Sequence, residues 1–278
     1  MISHTQFPIY YSLFPKYNKS MKTFTWNDIL SILNGDSNDD FMGGVKTGIS
    51  VGSFDGLHKG HRKLLGQLIS SSHAKSLKAG VVTFVRPLPG IKHSESYLGD
   101  LTTLEQRLSL FEKIGLDFVI VVNFDDSFAS MMGADFLNIL LNVCNMELLA
   151  EGIDFRCGYK GATDAQAIRY WAEKNHVETV FVDPVYFHEG SDEEERISSS
   201  YIRKMLSRGF FTTAAELLER PYELDIASIR RASSEKSPQL LPPDGLYRTE
   251  NEKGQLVRLE IKNGRICDLP ACDLVRFV

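Results

Sequence analysis

Gly52-Ser-Phe-Asp-Gly-Leu-His-Lys-Gly-His61 is the stretch that decides the fold of this chain. It follows an apolar run at Ile49 and Val51 and leads into residues 62 to 69, whose apolar side chains recur at helical spacing. This pattern predicts a strand, a tight glycine-bearing turn and a helix. Such a turn directs backbone N–H groups and the positive end of the helix dipole outward, where an anionic group can bind. The stretch therefore predicts a phosphate site.

The two histidines of this stretch indicate chemistry as well as binding. His58 and His61 are three positions apart, so both rings can face the same side of the turn. Gly56 and Gly60 carry no side chain, which lets a phosphate approach the backbone. Imidazoles held there can donate hydrogen bonds to a phosphate that gains negative charge in a transition state. The alternative is a capped helix with two exposed histidines, but the spacing after a strand favours function, because it resembles the H-x-G-H signature of nucleotidyltransferases.

Composition excludes several classes of protein. The chain has 278 residues, 43% of them hydrophobic and 24% charged, and a formal charge of −5. That charge provides no electrostatic footprint for duplex nucleic acid, so no nucleic-acid partner is expected. The sequence has no apolar run of membrane-spanning length and no secretory signal, which predicts a cytoplasmic protein without a membrane partner. Its four cysteines are too few and irregular for a disulfide framework or a metal site.

Apolar runs of strand length alternate with helical patterns through the middle of the chain. Strands are predicted over 79–85, 117–122, 147–152 and 177–182, and helices over 103–114, 134–143 and 164–175. This alternation predicts an α/β fold with a parallel sheet. Ligands of such sheets bind beyond the carboxyl ends of the strands, where the glycine-bearing turn lies.

The two ends of the chain differ from this middle part. Residues 1–45 are predicted to be an N-terminal extension with a helix over 25–33, and Met21 is an alternative to Met1 as the natural start. Residues 46–222 form the predicted catalytic domain. Residues 223–278 are predicted to hold a linker over 228–243 and a small all-β tail, in which Asn263-Gly264 is a strong hairpin signal.

A second group of polar residues surrounds a later helix start. Ser198, Ser199 and Ser200 precede Arg203 by three to five positions, about one helical turn, and hydroxyls, free N–H groups and an arginine fork can bind the outer phosphates of a nucleotide. The alternative is an ordinary serine cap with a surface arginine. Between the two groups, Asp154 and Arg156 can face a ligand or pair with each other at the surface.

Together these motifs resemble the bacterial bifunctional riboflavin kinase/FMN adenylyltransferase family, the prokaryotic FAD synthetases. The resemblance covers about Gly48 to Tyr222. It rests on the H-x-G-H stretch and on four further segments: Leu101-Thr-Thr-Leu-Glu-Gln-Arg107, Gly152-Ile-Asp-Phe-Arg-Cys-Gly158, Ile197-Ser-Ser-Ser-Tyr-Ile-Arg203 and Arg220-Pro-Tyr222. It implies a Rossmann-like nucleotidyltransferase domain that makes FAD and pyrophosphate from FMN and MgATP.

The resemblance also implies roles for particular residues. His58, His61 and Arg203 would be catalytic, and Mg²⁺ would be held mainly by the ATP phosphates rather than by protein ligands. The reaction would be an in-line attack by an FMN phosphate oxygen, without a protein nucleophile. The remaining candidate binding residues for ATP and FMN are Gly52, Ser53, Phe54, Asp55, Gly56, Gly60, Phe84, Asp154, Arg156, Ser198, Ser199 and Ser200.

Two departures from the family pattern affect the prediction. The family usually continues Val-Thr-Phe with Asp-Pro-His-Pro, whereas this chain has Val85-Arg-Pro-Leu-Pro89. Another phosphorylated acceptor, or a non-catalytic nucleotide- or flavin-binding protein, is therefore the alternative function. The family's kinase barrel exceeds a hundred residues and has a Gly-Phe-Pro-Thr-Ala-Asn segment, but only residues 223–278 follow Tyr222 and they lack that segment. The tail resembles a truncated kinase domain, so no riboflavin kinase activity is expected.

Overall fold

The fold was obtained as a computed structural model that describes residues 21–37, 40–87, 97–232 and 237–278. The N-terminal extension up to residue 20, including Met1, lies outside the described residues. So do Leu88 and Pro89 and residues 233–236 of the predicted linker.

Six parallel strands form the central sheet, which confirms the predicted α/β class. They are β1 (Lys22–Thr25), β2 (Thr47–Val51), β3 (Lys78–Phe84), β4 (Phe118–Val122), β5 (Met146–Gly152) and β6 (Glu178–Val182). Their order across the sheet is β1-β4-β3-β2-β5-β6. The strand order reverses between β2 and β5, and in open parallel sheets ligands bind beyond the strand ends at such a reversal. The glycine-bearing turn follows β2 at that point.

Helices cover both faces of this sheet. The helices of the α/β part are α1 (Trp26–Leu33), α2 (Lys59–Ala74), α3 (Leu104–Ile114), α4 (Asp126–Ser130), α5 (Gly133–Val143) and α6 (Ala165–Lys174). Buried side chains of α1, α5 and α6 share one apolar core with alternate strand residues. Those of α2 and α3 share another with the intervening strand residues. Because successive strand side chains point to opposite faces, the two cores lie on the two sides of the sheet.

The C-terminal residues form a separate sheet with helices beside it. The helices are α7 (Ser199–Leu206), α8 (Phe211–Leu218) and α9 (Ile226–Arg231); β7 (Tyr186–Phe187) and β8 (Glu195–Arg196) form a small hairpin before them. The remaining strands are β9 (Glu223–Asp225), β10 (Gly245–Asn251), β11 (Leu256–Lys262), β12 (Arg265–Ile266) and β13 (Leu274–Phe277). They form an antiparallel sheet in the order β12-β11-β10-β13-β9. Asn263 and Gly264, with φ of 54° and 68°, form the predicted hairpin between β11 and β12.

This C-terminal sheet shares its core with α7 and α8. Ile202, Leu206 and Leu217 pack in one cluster with Leu259 and Phe277. The aromatic rings of Phe211 and Phe277 stack with their centroids 4.6 Å apart. The tail is therefore packed against the serine-led helix that borders the site.

The structure contains three elements that were not predicted, and it differs from one prediction. β1 was not predicted, yet it pairs in parallel with β4, and Trp26 of α1 packs in the core of the α/β sheet. The short helices α4 and α8 were also missed. The interval 228–243, predicted as a linker, contains most of α9 as well as buried Gln239 and Leu240. Polar, basic and proline-bearing composition predicted a linker there, but tertiary contacts bury Gln239 and Leu240. The predicted domain boundaries at 45 and 222 remain predictions.

In the described ranges, we find no helix with the length and apolar character needed to cross a bilayer.

Candidate active site

The turn after β2 has the sharp backbone that its glycines predicted. Phe54, Gly56 and Leu57 have φ of 47°, 80° and 40°, in the left-handed region that L-residues rarely adopt. A Cβ added to Gly56 would lie 2.8 Å from Cδ1 of Leu101. Phe54 is buried and its ring meets the ring of His61 edge-on at 5.3 Å. This turn therefore needs a glycine at position 56, and it places the following histidines at the start of α2.

His58 is the N-cap of α2, and its Nδ1 accepts a hydrogen bond from the backbone N–H of His61 at 3.4 Å. The two imidazole rings stack with centroids 3.7 Å apart. Burial, followed by the charges of Arg220, Arg196 and Arg203, lowers the pKa of His58 to about 3. The neutral ring therefore carries its proton on Nε2, which makes that nitrogen a donor. Burial and then His58 also lower the pKa of His61 well below 6.5.

Asp55 holds the turn against two distant segments. Its carboxylate is buried and accepts hydrogen bonds from the backbone N–H of Leu101 and from the N–H and Oγ1 of Thr102, at 2.9 to 3.1 Å. It also forms an ion pair with Arg203 of α7. The prediction that Asp55 contacts ATP is not tested, but the structure assigns its carboxylate to protein groups.

Arg203 was predicted to reach the outer phosphates, and the structure shows where its donors are used. Its Nε donates to Gly99 O at 2.7 Å, and its Nη2 donates to Tyr97 Oη at 2.7 Å and to Asp55. Its guanidinium also lies 4.7 Å from the centroid of the Tyr97 ring. Arg203 lines the cleft, but as the partner of a buried carboxylate rather than as a surface residue.

Arg107 is a structural part of the site that the sequence analysis did not single out. This side chain is fully buried, and its Nη1 and Nη2 donate to Ser53 O and Val85 O at 2.9 and 2.8 Å. It thus holds the chain just after β2 and just after β3 in one arrangement. It ends the Leu101–Arg107 motif, so its position in a motif was the available signal.

A cleft of about 370 Å³ connects the two predicted phosphate-binding groups. The H-x-G-H turn, the ends of β5 and β6, and the start of α7 all border it. Ser198 caps α7 by accepting from the N–H of Tyr201 at 3.1 Å, and Ser199 Oγ donates to Asp55 O at 2.8 Å. The structure therefore brings together these predicted residues: Gly52, Ser53, Phe54, Asp55, His58, Gly60, His61, Asp154, Ser198, Ser199, Ser200 and Arg203.

Asp154 and Arg156 do not pair with each other, so that alternative is wrong. Asp154 forms an ion pair with Nη1 of Arg196 at 2.7 Å, across the cleft, and this hydrogen bond is the main reason that its pKa is lowered. Arg156 donates from Nε to Gly161 O at 2.7 Å. Arg196, on β8, is a cleft residue that the sequence analysis did not single out; it directly follows the acidic run Asp192–Glu195, which has the composition of a solvated loop.

A second, more apolar pocket of about 660 Å³ adjoins the cleft. Val51, Gly52 and Phe155 line both cavities. Phe84, a predicted binding residue, lines this pocket, as does Arg156. The other lining residues include Phe124, Phe128, Met131, Phe136, Cys157, Tyr159 and Lys160. Cavities of this size and aromatic character suit planar ring systems.

Glu151 is an unexpected buried acid at the cleft. It is the penultimate residue of β5, it is 1% exposed, and its Oε1 accepts from the N–H of Val51 at 2.6 Å. Burial raises the pKa of Glu151 well above 4.5, although the Val51 hydrogen bond opposes this. Its carboxyl therefore keeps its proton to a higher pH than an exposed glutamate does.

The family model of FAD synthetase matches residues 45–201 of this chain, which is more than half of its length. The chain belongs to the FAD synthetase family. The matched residues contain the turn, both histidines and the serines at the start of α7, so the match includes the residues that line the cleft except Arg203. This confirms the family predicted from the motifs.

Relatives within the FAD synthetase family show the extent of the similarity. The Escherichia coli bifunctional riboflavin kinase/FMN adenylyltransferase is 29% identical over 179 residues, covering 63% of this chain and 55% of the relative. The Bacillus subtilis protein of the same name is 26% identical over 239 residues, covering 81% and 72%. The chain thus spans about half the length of several curated relatives, including two from Buchnera aphidicola.

A solved structure supports the fold across nearly the whole chain. The crystal structure of a macrolide-efflux protein from Streptococcus pneumoniae has a TM-score of 0.64 and 20% identity, and it covers 92% of this chain and 98% of that one. The present chain therefore shares the arrangement of its α/β part and its C-terminal sheet with a solved structure.

Proposed function

We propose that this chain transfers the adenylyl group of ATP to FMN, giving FAD and pyrophosphate. The observation that carries the proposal is the meeting of two cavities at Val51, Gly52 and Phe155. A triphosphate fits the polar cleft and a flavin ring suits the aromatic pocket. A phosphate attached to a ring in that pocket would reach the cleft at the H-x-G-H turn. Membership of the FAD synthetase family and the names of the relatives support this substrate pair.

In this proposal an FMN phosphate oxygen attacks the α-phosphorus of ATP. A new P–O–P bond forms, the bond from the α-phosphorus to the bridging oxygen of the β-phosphate breaks, and pyrophosphate leaves. His58 and His61 donate hydrogen bonds from neutral rings to the α-phosphate oxygens, where negative charge develops. Their low pKa values keep both imidazole rings neutral at physiological pH. Each neutral ring still has one N–H group to donate.

The outer phosphates of ATP are assigned to the start of α7. Free N–H groups at a helix start favour negative charge, and the hydroxyl of Ser200 can donate to a phosphate oxygen. The hydroxyl of Ser199 donates to Asp55 O and so ties the helix start to the turn. Arg196 and Arg203 add positive potential, and after burial and Arg220 their charges are further causes of the lowered pKa of His58. We assign Arg203 to holding Asp55 and the turn in position. Mg²⁺ enters as the ion carried by the ATP phosphates.

The flavin ring is assigned to the aromatic pocket lined by Phe84, Phe128 and Tyr159. Arg156 and Lys160 line the same pocket and are the cations assigned to the FMN phosphate. Val85-Arg-Pro87 replaces the acidic and histidine-bearing sequence usual in the family, and Pro87 lines the cleft. This substitution favours a second candidate, adenylyl or cytidylyl transfer to a different phosphorylated acceptor.

We further propose that the chain lacks riboflavin kinase activity and acts in the cytoplasm. Residues 223–278 lack the Gly-Phe-Pro-Thr-Ala-Asn segment of the kinase domain, and much of their sheet is packed against α7 and α8. All four cysteines are free thiols, which is typical of reducing compartments.

The proposal is tested by incubating the purified protein with FMN and MgATP and separating the products by chromatography. FAD together with pyrophosphate is the expected result. Parallel reactions contain CTP in place of ATP, other phosphorylated acceptors in place of FMN, or riboflavin with MgATP. Pyrophosphate release with another acceptor alone would favour the second candidate. Binding of ATP by a folded sample without turnover of any acceptor would overturn catalysis, and FMN made from riboflavin would overturn the absence of kinase activity.

A further inference from the structure

Gln239 connects the C-terminal sheet to the α/β part through its side chain. The residue is 2% exposed. The two N–H groups of its Nε2 are shared among three acceptors, Leu101 O, Gln106 Oε1 and Glu223 O, at 3.1, 2.9 and 3.1 Å, and its Oε1 accepts from Asp225 N at 2.7 Å. Glu223 and Asp225 belong to β9 of the tail, whereas Leu101 and Gln106 belong to the segment that leads into α3 and to α3 itself. The amide oxygen thus bonds to the tail, and the amide nitrogen bonds to both the tail and the α/β part.

Three backbone and side-chain contacts reinforce this junction. Leu240 N donates to Asp100 O at 2.8 Å, next to an isolated parallel bridge between Asp100 and Gln239. Thr103 Oγ1 donates to Asp225 Oδ2 at 2.9 Å. A Cβ added to Gly99 would lie 2.8 Å from the Leu240 nitrogen, so the backbones of these two segments are in direct contact. Tail residues therefore hold residues 99–103 from one side.

The opposite side of the same five residues holds the phosphate-binding turn. The N–H groups of Leu101 and Thr102 donate to the Asp55 carboxylate, and Thr102 Oγ1 accepts from Gly56 N at 3.1 Å. Gly99 O accepts from Arg203 Nε. Residues 99–103 are thus a connecting segment with the tail on one side and the Asp55–Arg203 pair on the other. A shift of this segment would move the donors to Asp55 and, with them, the turn that carries His58.

We propose that Gln239 is a positioning residue, through which the C-terminal sheet holds residues 99–103 and so fixes the phosphate-binding turn. The C-terminal sheet is then required for the geometry of the nucleotide site. Gln239 does not line the cleft and acts only through the segment that it holds. The kinetic part of this inference rests on the proposed adenylyl transfer, whereas its structural part does not.

The test uses the full chain with Gln239→Met, which keeps the length of the side chain but removes both hydrogen-bonding atoms. Amide hydrogen exchange at Leu101 and Thr102 should become faster by about tenfold or more, because these N–H groups lose their fixed geometry toward Asp55. Exchange at Val81 and Val119, in the centre of the sheet, should not change. The matched control is Gln255→Met, the same substitution at an exposed position of the tail.

The second variant, Gln239→Glu, keeps the acceptor for Asp225 N but replaces the donor by an oxygen that faces three other oxygens. Relative to wild type at the same pH, exchange at Leu101 should be faster when this carboxyl is ionised and should approach the wild-type value when it is protonated. A structural role confined to the tail would not produce this pH signature. Unchanged exchange at Leu101 and Thr102 in both variants, or an equal increase at all sites, would overturn the proposal.

The kinetic arm measures FAD formation by the same proteins. Gln239→Met should lower kcat by about tenfold or more with a smaller change in the KM for ATP, because misplacement of reacting groups lowers rate more than binding. If the wild-type protein forms no FAD, the proposed function fails while the exchange result still decides the role of Gln239. If FAD forms and kcat is unaffected although exchange is faster, the link to the site is wrong.

Discussion

Asp55 and Arg203 form an ion pair that is almost completely buried, with side chains 2% and 5% exposed, although the two residues are 148 positions apart in the sequence. One lies in the turn after β2 and the other on α7, so this pair joins the two sides of the cleft. Buried charges are tolerated when both partners and their remaining hydrogen bonds are present. Here backbone N–H groups, Thr102, Tyr97 and Gly99 O supply those bonds.

Asp55→Asn should destabilise the protein strongly. The substitution leaves Arg203 buried without its counter-charge, and breaking a buried pair from one side costs roughly 3–5 kcal/mol. Chemical denaturation should show this loss in the free energy of unfolding. Asp154→Asn is the matched control, because Asp154 and Arg196 are 56% and 48% exposed and such pairs contribute about 1 kcal/mol or less. Equal losses in the two variants would contradict the assignment of Asp55.

His61→Ala should lower kcat for FAD formation by roughly 10² to 10³ with a modest change in KM, since it removes a donor to the developing charge. Steady-state kinetics at saturating FMN and MgATP measure this. His73→Ala, near the other end of α2, is the control and should retain wild-type kcat. A His61→Ala enzyme with full activity would refute the catalytic role.

Ala129→Phe should raise the KM for FMN by about tenfold or more while leaving the KM for ATP nearly unchanged, because a ring would occupy the aromatic pocket and not the cleft. Ala129→Ser, which adds little volume, controls for the position itself. Initial rates at varied FMN and varied ATP separate the two constants. If both KM values rise together, the assignment of the flavin to this pocket is wrong.

Glu151→Gln should stabilise the protein increasingly as the pH rises. Burial raises the folded pKa of Glu151 above its unfolded value, so in the wild type the folded state binds the extra proton. Stability from this group is complete below the unfolded pKa of 4.5 and falls as the pH rises toward the folded pKa, by about 1.4 kcal/mol per pH unit. Glutamine does not titrate and escapes this loss.

Thermal unfolding of wild type and Glu151→Gln between about pH 5 and about pH 8 measures this effect. The Tm of the variant minus that of wild type should increase as the pH rises. Glu147→Gln, at an exposed position of the same strand, is the control and should show no such trend. A difference in Tm that does not change with pH would contradict the raised pKa.

Local patterns in the sequence were sufficient for much of this protein. Gly56 and the residues around it predicted the turn, and the spacing of His58 and His61 predicted that both imidazoles can face the same side of it; that the rings stack is seen only in the structure. The alternation of apolar runs and helical patterns predicted the parallel sheet. These features depend on backbone conformation and on neighbours a few positions away, which is why short motifs specify them.

Long-range pairing decided the rest. The sequence did not show that Arg203 would form an ion pair with Asp55, or that Asp154 would pair with Arg196. It also did not show that Gln239, in a polar stretch, would be buried. It also contained no sign that Lys22–Thr25 would become an edge strand beside β4. Each of these outcomes depends on which segments the folded chain brings together and on which charged or polar groups must find partners once they are removed from water. The motifs thus determined the backbone and the two histidines at the start of α2, and only the tertiary structure decided which candidate residues line the cleft and which are paired with one another.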